Sequence, residues 1–479
     1  MLGQFLPRLT LPEEEIDIYK DGFEPHKKLL DRSDEGRRLS HLVTTIDDPV
    51  TIAVDGAWGA GKTHFLKCWV GQHLKETKGN KETEVLYFDA FAHDYLSDPL
   101  VALSGALIER LGSSNTSMAK SLGKKAASGL KSVVPFLART GFRAGISYLS
   151  AGFINRADEW FQGGDEEETA EAQATASAVA GRLSDDAQSA VSGFWQAEEG
   201  KRVAMEGFRA TLESLTEPEE DGSPSRRLVM VVDELDRCRP DYALSLLEII
   251  KHFFNVRGIT FILGVNQRAL QNQVKARYGE GTDAALYLQK FVQVTMKLGD
   301  KPRRYADTTF YCDYYDRLLE KLGYQLGFAT FGKEYIKQTA HNTGDLSLRK
   351  LQHFARLSIL TPWEQDRFSS FDWRNYTLVS GLLYLEAMRP DVISKILDDS
   401  VTWKDISQSL QLQSPTETSR RPAKLSEAWL LCFQEQKTPE FWQEHLGNEY
   451  ESVTNSFDRE TPKYLYQRHV GNISLENLS

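Results

Sequence analysis

One short segment combines the residue types that bind phosphate. Residues 56–63 read Gly-Ala-Trp-Gly-Ala-Gly-Lys-Thr, the complete pattern G-x-x-x-x-G-K-[ST]. Such a glycine-rich turn points several backbone N–H groups at one anion, and the helix that follows adds its positive dipole. In this arrangement Lys62 reaches the β- and γ-phosphates of a nucleotide, and the Thr63 hydroxyl ligates Mg²⁺. The segment predicts ATP and Mg²⁺ as ligands and a binding loop made of Gly56, Ala57, Trp58, Gly59, Ala60, Gly61, Lys62, Thr63 and His64.

A pair of carboxylates follows an apolar run farther along the chain. Asp233 and Glu234 come directly after residues 228–232, which read as a buried strand. At the end of such a strand Asp233 can hold the Mg²⁺ shell through water, opposite Thr63, and Glu234 can orient or deprotonate the attacking water. The pair therefore predicts hydrolysis of the nucleotide as well as binding, the alternative being two carboxylates that cap a helix.

Two other residues are candidates for contact with the γ-phosphate. Asn266 ends the apolar run 259–265, where it can sense the phosphate or, equally well, form a turn or a helix cap. Phosphoryl transfer also needs positive charge besides that of Lys62. Arg349 is the preferred candidate because residues 346–349 begin a predicted helix that could fold back on the nucleotide, although it can also be a solvated surface charge.

Five apolar runs predict the sheet that positions these residues. Four are short runs of the kind found in buried strands, and the fifth alternates as an edge strand does. The runs are residues 51–54, 85–90, 228–232, 259–265 and 292–298. Because helical patterns separate them, the order predicts an α/β fold, a P-loop NTPase with a parallel, doubly wound sheet.

The spacing of the motifs predicts five segments. They are an N-terminal arm with the first part of the NTPase domain (1–110), a mainly helical insertion (111–205), the second part of the NTPase domain (206–300), a helical lid (301–410) and a C-terminal accessory region (411–479).

The insertion has two halves of opposite charge. Residues 112–156 hold seven basic side chains and no acidic one, whereas the chain turns acidic from Asp158 onward. The basic half predicts a contact with the acidic run of the same or a neighbouring subunit, with nucleic acid, or with an anionic membrane surface. Arg139 and Arg143 stand in the middle of its apolar stretch, which argues against a membrane span.

The composition excludes several classes of protein. A formal charge of -11 over 479 residues does not fit a globally basic nucleic-acid-binding protein. The four cysteines are widely spaced and include no C-x-x-C pair, so neither a disulfide framework nor a zinc site is expected. The apolar run at residues 1–7 is too short for a secretory signal, and the sequence predicts a cytoplasmic protein.

Taken together, the motifs resemble those of the KAP family of P-loop NTPases. The resemblance covers about 27–360 and lies in the tryptophan of the phosphate loop and in residues 87–91, 232–238, 287–291 and 346–349. Asp89 and Phe91 depart from the family pattern, and Glu234 replaces its second aspartate. The resemblance implies an AAA/STAND-like ATPase with a helical lid that self-associates, and at family level a part in bacterial defence against phage.

Two classes of function are compatible with these features. The first is a Mg²⁺-dependent ATP hydrolase that acts as a switch or motor subunit in a defence or signalling complex. The second is a scaffold that keeps ATP bound without turnover and recruits partner proteins. A variant of the first class is an NTPase that binds nucleic acid or a membrane surface through residues 112–156.

Overall fold

The computed structural model describes most of the chain outside the insertion. The described residues are 16–24, 31–77, 83–96, 98–113, 224–253, 255–299, 307–322, 329–340, 346–361, 373–412, 424–433 and 438–471, together with six residues between 206 and 216. Residues 112–156, for which the sequence predicts contacts with another segment, nucleic acid or a membrane surface, lie outside these ranges except for residues 112 and 113.

The centre of the first half is a parallel sheet of five strands. The strands are β1 (Val50–Asp55), β2 (Thr83–Asp89), β3 (Arg227–Asp233), β4 (Ile259–Val265) and β5 (Val294–Lys297). Their order is β2-β3-β4-β1-β5, and every pair is parallel. Each strand overlaps one predicted run, and the alternating run at 292–298 lies at an edge as expected. The P-loop NTPase fold is confirmed.

Helices cover both faces of this sheet. They are α1 (Ser33–Thr45), α2 (Lys62–Thr77), α3 (Ala90–His93), α4 (Pro99–Ser113), α5 (Pro240–Phe253), α6 (Gln267–Tyr278) and α7 (Ala284–Leu288). Side chains alternate along β3, so that Val229 and Val231 pack with α1 and α2 while Met230 and Val232 pack with α4 and α5. Burial on both faces is the reason why β3 and β4 read as continuous apolar runs.

The second half is helical. Its helices are α8 (Asp307–Lys321), α9 (Ala329–Thr339), α10 (Leu348–Leu360), α11 (Trp373–Met388), α12 (Pro390–Leu397), α13 (Trp403–Ser409), α14 (Lys424–Cys432), α15 (Pro439–Leu446), α16 (Tyr450–Thr454) and α17 (Thr461–His469). One hydrophobic core runs through them from Phe310 to Val470, with residues on both sides of position 410. The division into a lid and an accessory region stays a prediction.

No helix among the described residues has both the length and the apolar character that crossing a bilayer requires.

Candidate functional site

The phosphate loop connects β1 to α2 at the C-terminal edge of the sheet. Its start is fixed to β4, because the Gly56 N–H donates to the Val265 carbonyl at 3.2 Å. Its end is fixed to α2 through the Phe65 N–H, which donates to the Gly61 carbonyl at 2.9 Å. Gly59 lies between them with a φ of 85°, a left-handed conformation that glycine adopts without strain. The loop therefore follows the path that its sequence pattern predicted.

Lys62 is buried inside this loop. Its Nζ donates to the carbonyls of Gly56 at 2.8 Å and Ala57 at 3.2 Å. Burial lowers the pKa of Lys62, and the nearby carboxylates of Asp236 and Asp233 oppose that shift. The lysine thus lies where a phosphate can replace the two carbonyl oxygens as its partner.

The loop is supported from behind by a buried arginine. Arg32, which precedes α1, is 1% exposed, and its Nη2 donates to the carbonyls of Ala60 at 3.1 Å and Gly299 at 2.8 Å. One side chain therefore connects the loop to the segment that follows β5. No pattern in the sequence predicts this contact, because an arginine before a helix is usually solvated.

Asp233 ends β3 in a fully buried position. Its Oδ1 accepts from the Glu234 N–H at 2.9 Å, and its Oδ2 accepts from the Tyr87 hydroxyl at 2.8 Å. Burial raises the pKa of Asp233, and the hydrogen bonds from Tyr87 and Thr63 act against that rise. A Cβ at Gly264 of β4 would come within 2.4 Å of Asp233 Oδ1, so glycine at this position leaves the room that the carboxylate occupies.

Glu234 lies next to the loop in an unusual backbone conformation. Its φ of 59° and ψ of 22° are left-handed, which costs a residue with a Cβ about 1–2 kcal/mol. Its Oε1 lies 3.4 Å from Thr63 Oγ1 and 2.7 Å from Arg237 Nη1. Burial raises the pKa of Glu234, and the charge of Arg237 works in the opposite direction. Strain of this kind is typical of functional sites.

The loop and the acidic segment are also joined through Trp58. Its indole Nε1 donates to Asp236 Oδ2 at 2.6 Å, while the ring is 50% exposed. The Gln273 side chain of α6 donates to the carbonyls of Asp236 and Cys238, each at 2.9 Å. The segment after β3 is therefore held from the loop on one side and from α6 on the other.

The helix α10 begins against the loop. A Cβ at Gly59 would lie 2.8 Å from the Cβ of Arg349, and Ser347 caps the helix by accepting from the Lys350 N–H at 3.2 Å. Arg349 is exposed at this point. The structure thus brings the predicted lid arginine to the phosphate loop, and its role toward a nucleotide stays a prediction.

Asn266 and His64 lie at the same edge with local partners. Asn266 Oδ1 caps α6 by accepting from the N–H groups of Arg268 at 3.1 Å and Ala269 at 3.4 Å. His64 Nδ1 lies 4.0 Å from Cys68 Sγ, one turn farther along α2. The cap that the sequence allowed for Asn266 is present, and a sensing role for it stays a prediction.

The side chains at this edge fit Mg²⁺ and a nucleotide. The Thr63 hydroxyl and the carboxylates of Asp233 and Glu234 supply oxygen atoms, which Mg²⁺ prefers, and protein sites for this ion commonly use one or two carboxylates plus substrate phosphates. The loop and Lys62 supply the donors that phosphates need. The arrangement therefore suits phosphate binding and attack by water.

One sequence family agrees with this geometry. The sequence pattern described as "KAP family P-loop domain" matches residues 37–357. No curated protein matches the chain in sequence.

Two solved structures of the Aeropyrum pernix ORC2 protein are similar to the chain at low level. The structure of its ADPNP-ADP complexes has a TM-score of 0.32 and 10% identity, covering 91% of this chain and 94% of that chain. The ADP form has the same score and identity and covers 84% and 85%. Similarity at this level carries no statement about function. Since the family pattern spans well over half of the sequence, the chain belongs to the KAP family of P-loop domain proteins.

Proposed function

We propose that the chain hydrolyses ATP in a Mg²⁺-dependent reaction at the edge of the sheet where the phosphate loop meets β3. The observation that carries this proposal is the position of Glu234, whose Oε1 lies 3.4 Å from Thr63 Oγ1 at the end of the loop. A carboxylate in this position can orient the attacking water and accept its proton. The burial that raises the pKa of Glu234 makes it a stronger base.

The other residues bind and orient the substrate. The loop N–H groups and Lys62 hold the phosphates, with Lys62 exchanging the carbonyls of Gly56 and Ala57 for phosphate oxygens. Thr63 and Asp233 would hold Mg²⁺, which when bound neutralises charge on the phosphates. Arg349 adds positive charge near the γ-phosphate, a role supported by the contact of α10 with Gly59.

Two substitutions separate binding from turnover. Lys62→Ala should abolish nucleotide binding in titration calorimetry, because it removes the buried ammonium that would exchange the carbonyls of Gly56 and Ala57 for phosphate oxygens. Glu234→Gln should bind ATP as the wild type does and lose at least on the order of 100-fold in kcat, because the amide cannot accept the proton of water. Lys75→Ala, at an exposed position in the last turn of α2, is the control and should change neither quantity.

Two results would contradict the proposal. Hydrolysis by the wild type that does not exceed background would favour the scaffold that keeps ATP bound. Wild-type kcat in Glu234→Gln would show that another group orients the water.

The cellular role proposed here follows the family resemblance. We propose a switch or motor subunit in a bacterial defence or signalling complex, with self-association as part of its cycle. Molecular mass in solution, measured with and without ATP, tests the self-association, since a switch of this type should change its assembly with the nucleotide. An unchanged monomer in both conditions would contradict it.

A further inference from the structure

We infer that Tyr87 is a positioning residue that fixes the Asp233 carboxylate in the orientation that Mg²⁺ requires, an inference that rests on the proposed function. The Tyr87 hydroxyl donates to Asp233 Oδ2 at 2.8 Å. Tyr87 belongs to none of the motif positions that contact phosphate, and it lies on β2, the strand next to β3.

The hydrogen bonds of Asp233 show why the tyrosine matters. Oδ1 is held by the Glu234 N–H at 2.9 Å, and the tyrosine hydroxyl holds the other oxygen. The terminal torsion of an aspartate is broad and by itself fixes no orientation. Because the carboxylate is fully buried, water does not replace a missing donor there. The Thr63 hydroxyl also donates to Asp233, but it is itself assigned to Mg²⁺. The N–H of Glu234 and the hydroxyl of Tyr87, one on each oxygen, therefore set the plane in which the carboxylate can present a lone pair to a metal ion.

The tyrosine ring is held independently of its hydroxyl. The ring packs with the core on the α2 side of the sheet, and Lys67 Nζ lies 5.7 Å from its centroid. A phenylalanine would keep this packing, so that Tyr87→Phe removes one hydrogen bond and little else.

The backbone of Tyr87 is fixed from the outer edge of the sheet. β2 is an edge strand, and its Tyr87 N–H donates to the Tyr19 hydroxyl at 3.3 Å. The guanidinium of Arg110, near the end of α4, lies 3.8 Å from the centre of the Tyr19 ring, and its Nη2 pairs with Glu84 at 2.5 Å. These contacts lie on the side of β2 that has no neighbouring strand, and they support the register that pairs Asp89 with Asp233 and brings the Tyr87 hydroxyl to the Asp233 carboxylate.

The test measures how nucleotide binding depends on Mg²⁺. Affinity for a non-hydrolysable ATP analogue is determined by titration calorimetry in EDTA and over a series of Mg²⁺ concentrations. For Tyr87→Phe the affinity in EDTA should stay within about twofold of the wild type, while the Mg²⁺ concentration for half-maximal tightening should rise on the order of tenfold. Excess Mg²⁺ should restore most of kcat, because the metal position is weakened and not removed.

The matched control is Tyr315→Phe, which removes a buried hydroxyl bonded to Ser358 at 3.2 Å in the helical half. It should leave both affinities unchanged. Unaltered Mg²⁺ dependence in Tyr87→Phe would overturn the inference, and so would an equal loss of affinity in EDTA and in Mg²⁺, which indicates a general structural role. A wild-type chain that binds no nucleotide in either condition would instead overturn the proposed function, and the inference with it.

Discussion

Buried charges at the phosphate-loop site and in the helical half have different partners. At the C-terminal edge of the sheet, Lys62 donates to backbone carbonyls, and Asp233 accepts from two neutral hydroxyls and a backbone N–H. In the helical half, the buried Arg374 pairs directly with Glu427 at 3.0 Å. Within the described part of the chain neither Lys62 nor Asp233 forms such an ion pair. Lys62 and Asp233 thus keep their charge for a ligand, whereas Arg374 and Glu427 use theirs within the core of the helical half.

The energetic consequence follows from desolvation. A buried charge without a counterion lowers stability, and it persists where a ligand or a reaction needs it. A buried ion pair offsets its own desolvation and becomes costly only when one member is removed. Substitution of the buried ion pair in the helical half should therefore lower stability, whereas substitution of Lys62 or Asp233 at the C-terminal edge of the sheet should lower activity.

Arg374→Met should have the largest effect, a loss of about 3–5 kcal/mol in the free energy of unfolding. The methionine keeps most of the volume, but it leaves the Glu427 carboxylate, 11% exposed, without its main counterion. Urea denaturation followed by circular dichroism measures the change, and kcat should be normal under conditions where the variant is folded.

Two further variants make that result interpretable. The double variant Arg374→Met, Glu427→Gln should recover most of the lost stability, because no charge is then left buried alone. Lys337→Met removes the exposed ion pair with Glu334 and should cost less than about 1 kcal/mol. A loss in the double variant as large as in the single one would show that packing of the arginine, and not its charge, stabilises this core.

Asp233→Asn should lower kcat on the order of 100-fold, equivalent to about 2.7 kcal/mol, without lowering stability. The amide keeps the size of the carboxylate but loses the charge that attracts Mg²⁺. Because a neutral group is cheaper to bury, the free energy of unfolding without nucleotide should be equal to or higher than that of the wild type. Asp391→Asn, at an exposed carboxylate paired with Arg389, serves as the control with normal kcat. A loss of stability as large as that of Arg374→Met would show that the charge of Asp233 also stabilises the fold.

The sequence predicts the elements of the site well because each is encoded locally. The phosphate loop is one continuous segment between a strand and a helix, and Asp233 follows its strand directly. Parallel strands end at the same edge of a sheet, so these residues meet once the fold is known. The alternation of apolar and polar residues also predicted that the strand Val294–Lys297 lies at an edge of the sheet.

The contacts that orient the site could not be predicted in this way. The bond between Tyr87 and Asp233 depends on β2 pairing with β3 in the register that places Asp89 beside Asp233. The bond between Trp58 and Asp236 joins residues that are 178 positions apart. From the sequence alone, each of these aromatic side chains could equally be an ordinary core residue, and each carboxylate could be an ordinary surface residue. Only the tertiary pairing of strands and loops selects between them.

The pair Arg374 and Glu427 illustrates the same limit in the helical half. The two residues lie 53 positions apart on α11 and α14, and neither belongs to a motif. Charged residues inside helices are usually solvated, and their burial here follows from how the helices pack. The helical character of this half can therefore be predicted from the sequence, but its internal ion pair cannot.

Low pH should have a smaller effect on the free energy of unfolding, through a buried histidine of α2, the helix that follows the phosphate loop. His73 of α2 is fully buried, stacks on Trp69 at 4.7 Å and lies 3.0 Å from Ser40 Oγ. Among the described residues its Nε2 has no hydrogen-bond partner. Burial, with a smaller contribution from the charge of Arg227, lowers the pKa of His73 from 6.5 to about 4. The folded chain therefore holds this ring neutral where the unfolded chain protonates it.

The sign of the pH dependence follows from that difference. Above pH 6.5 the ring is neutral in both states, so its contribution to stability is fully present, and it is lost as the pH falls toward 4. At pH 5 the loss should be about 2 kcal/mol relative to pH 8. Urea denaturation of the wild type and of His73→Phe at the two pH values measures it, since the stability difference between the two proteins should shrink by that amount. His353→Phe is the matched variant in the helical half, where partial burial lowers the pKa of a less buried ring in the same direction. Its effect should have the same sign and be smaller, and an equal or larger effect would show that the two halves do not differ in how they bury a titratable ring.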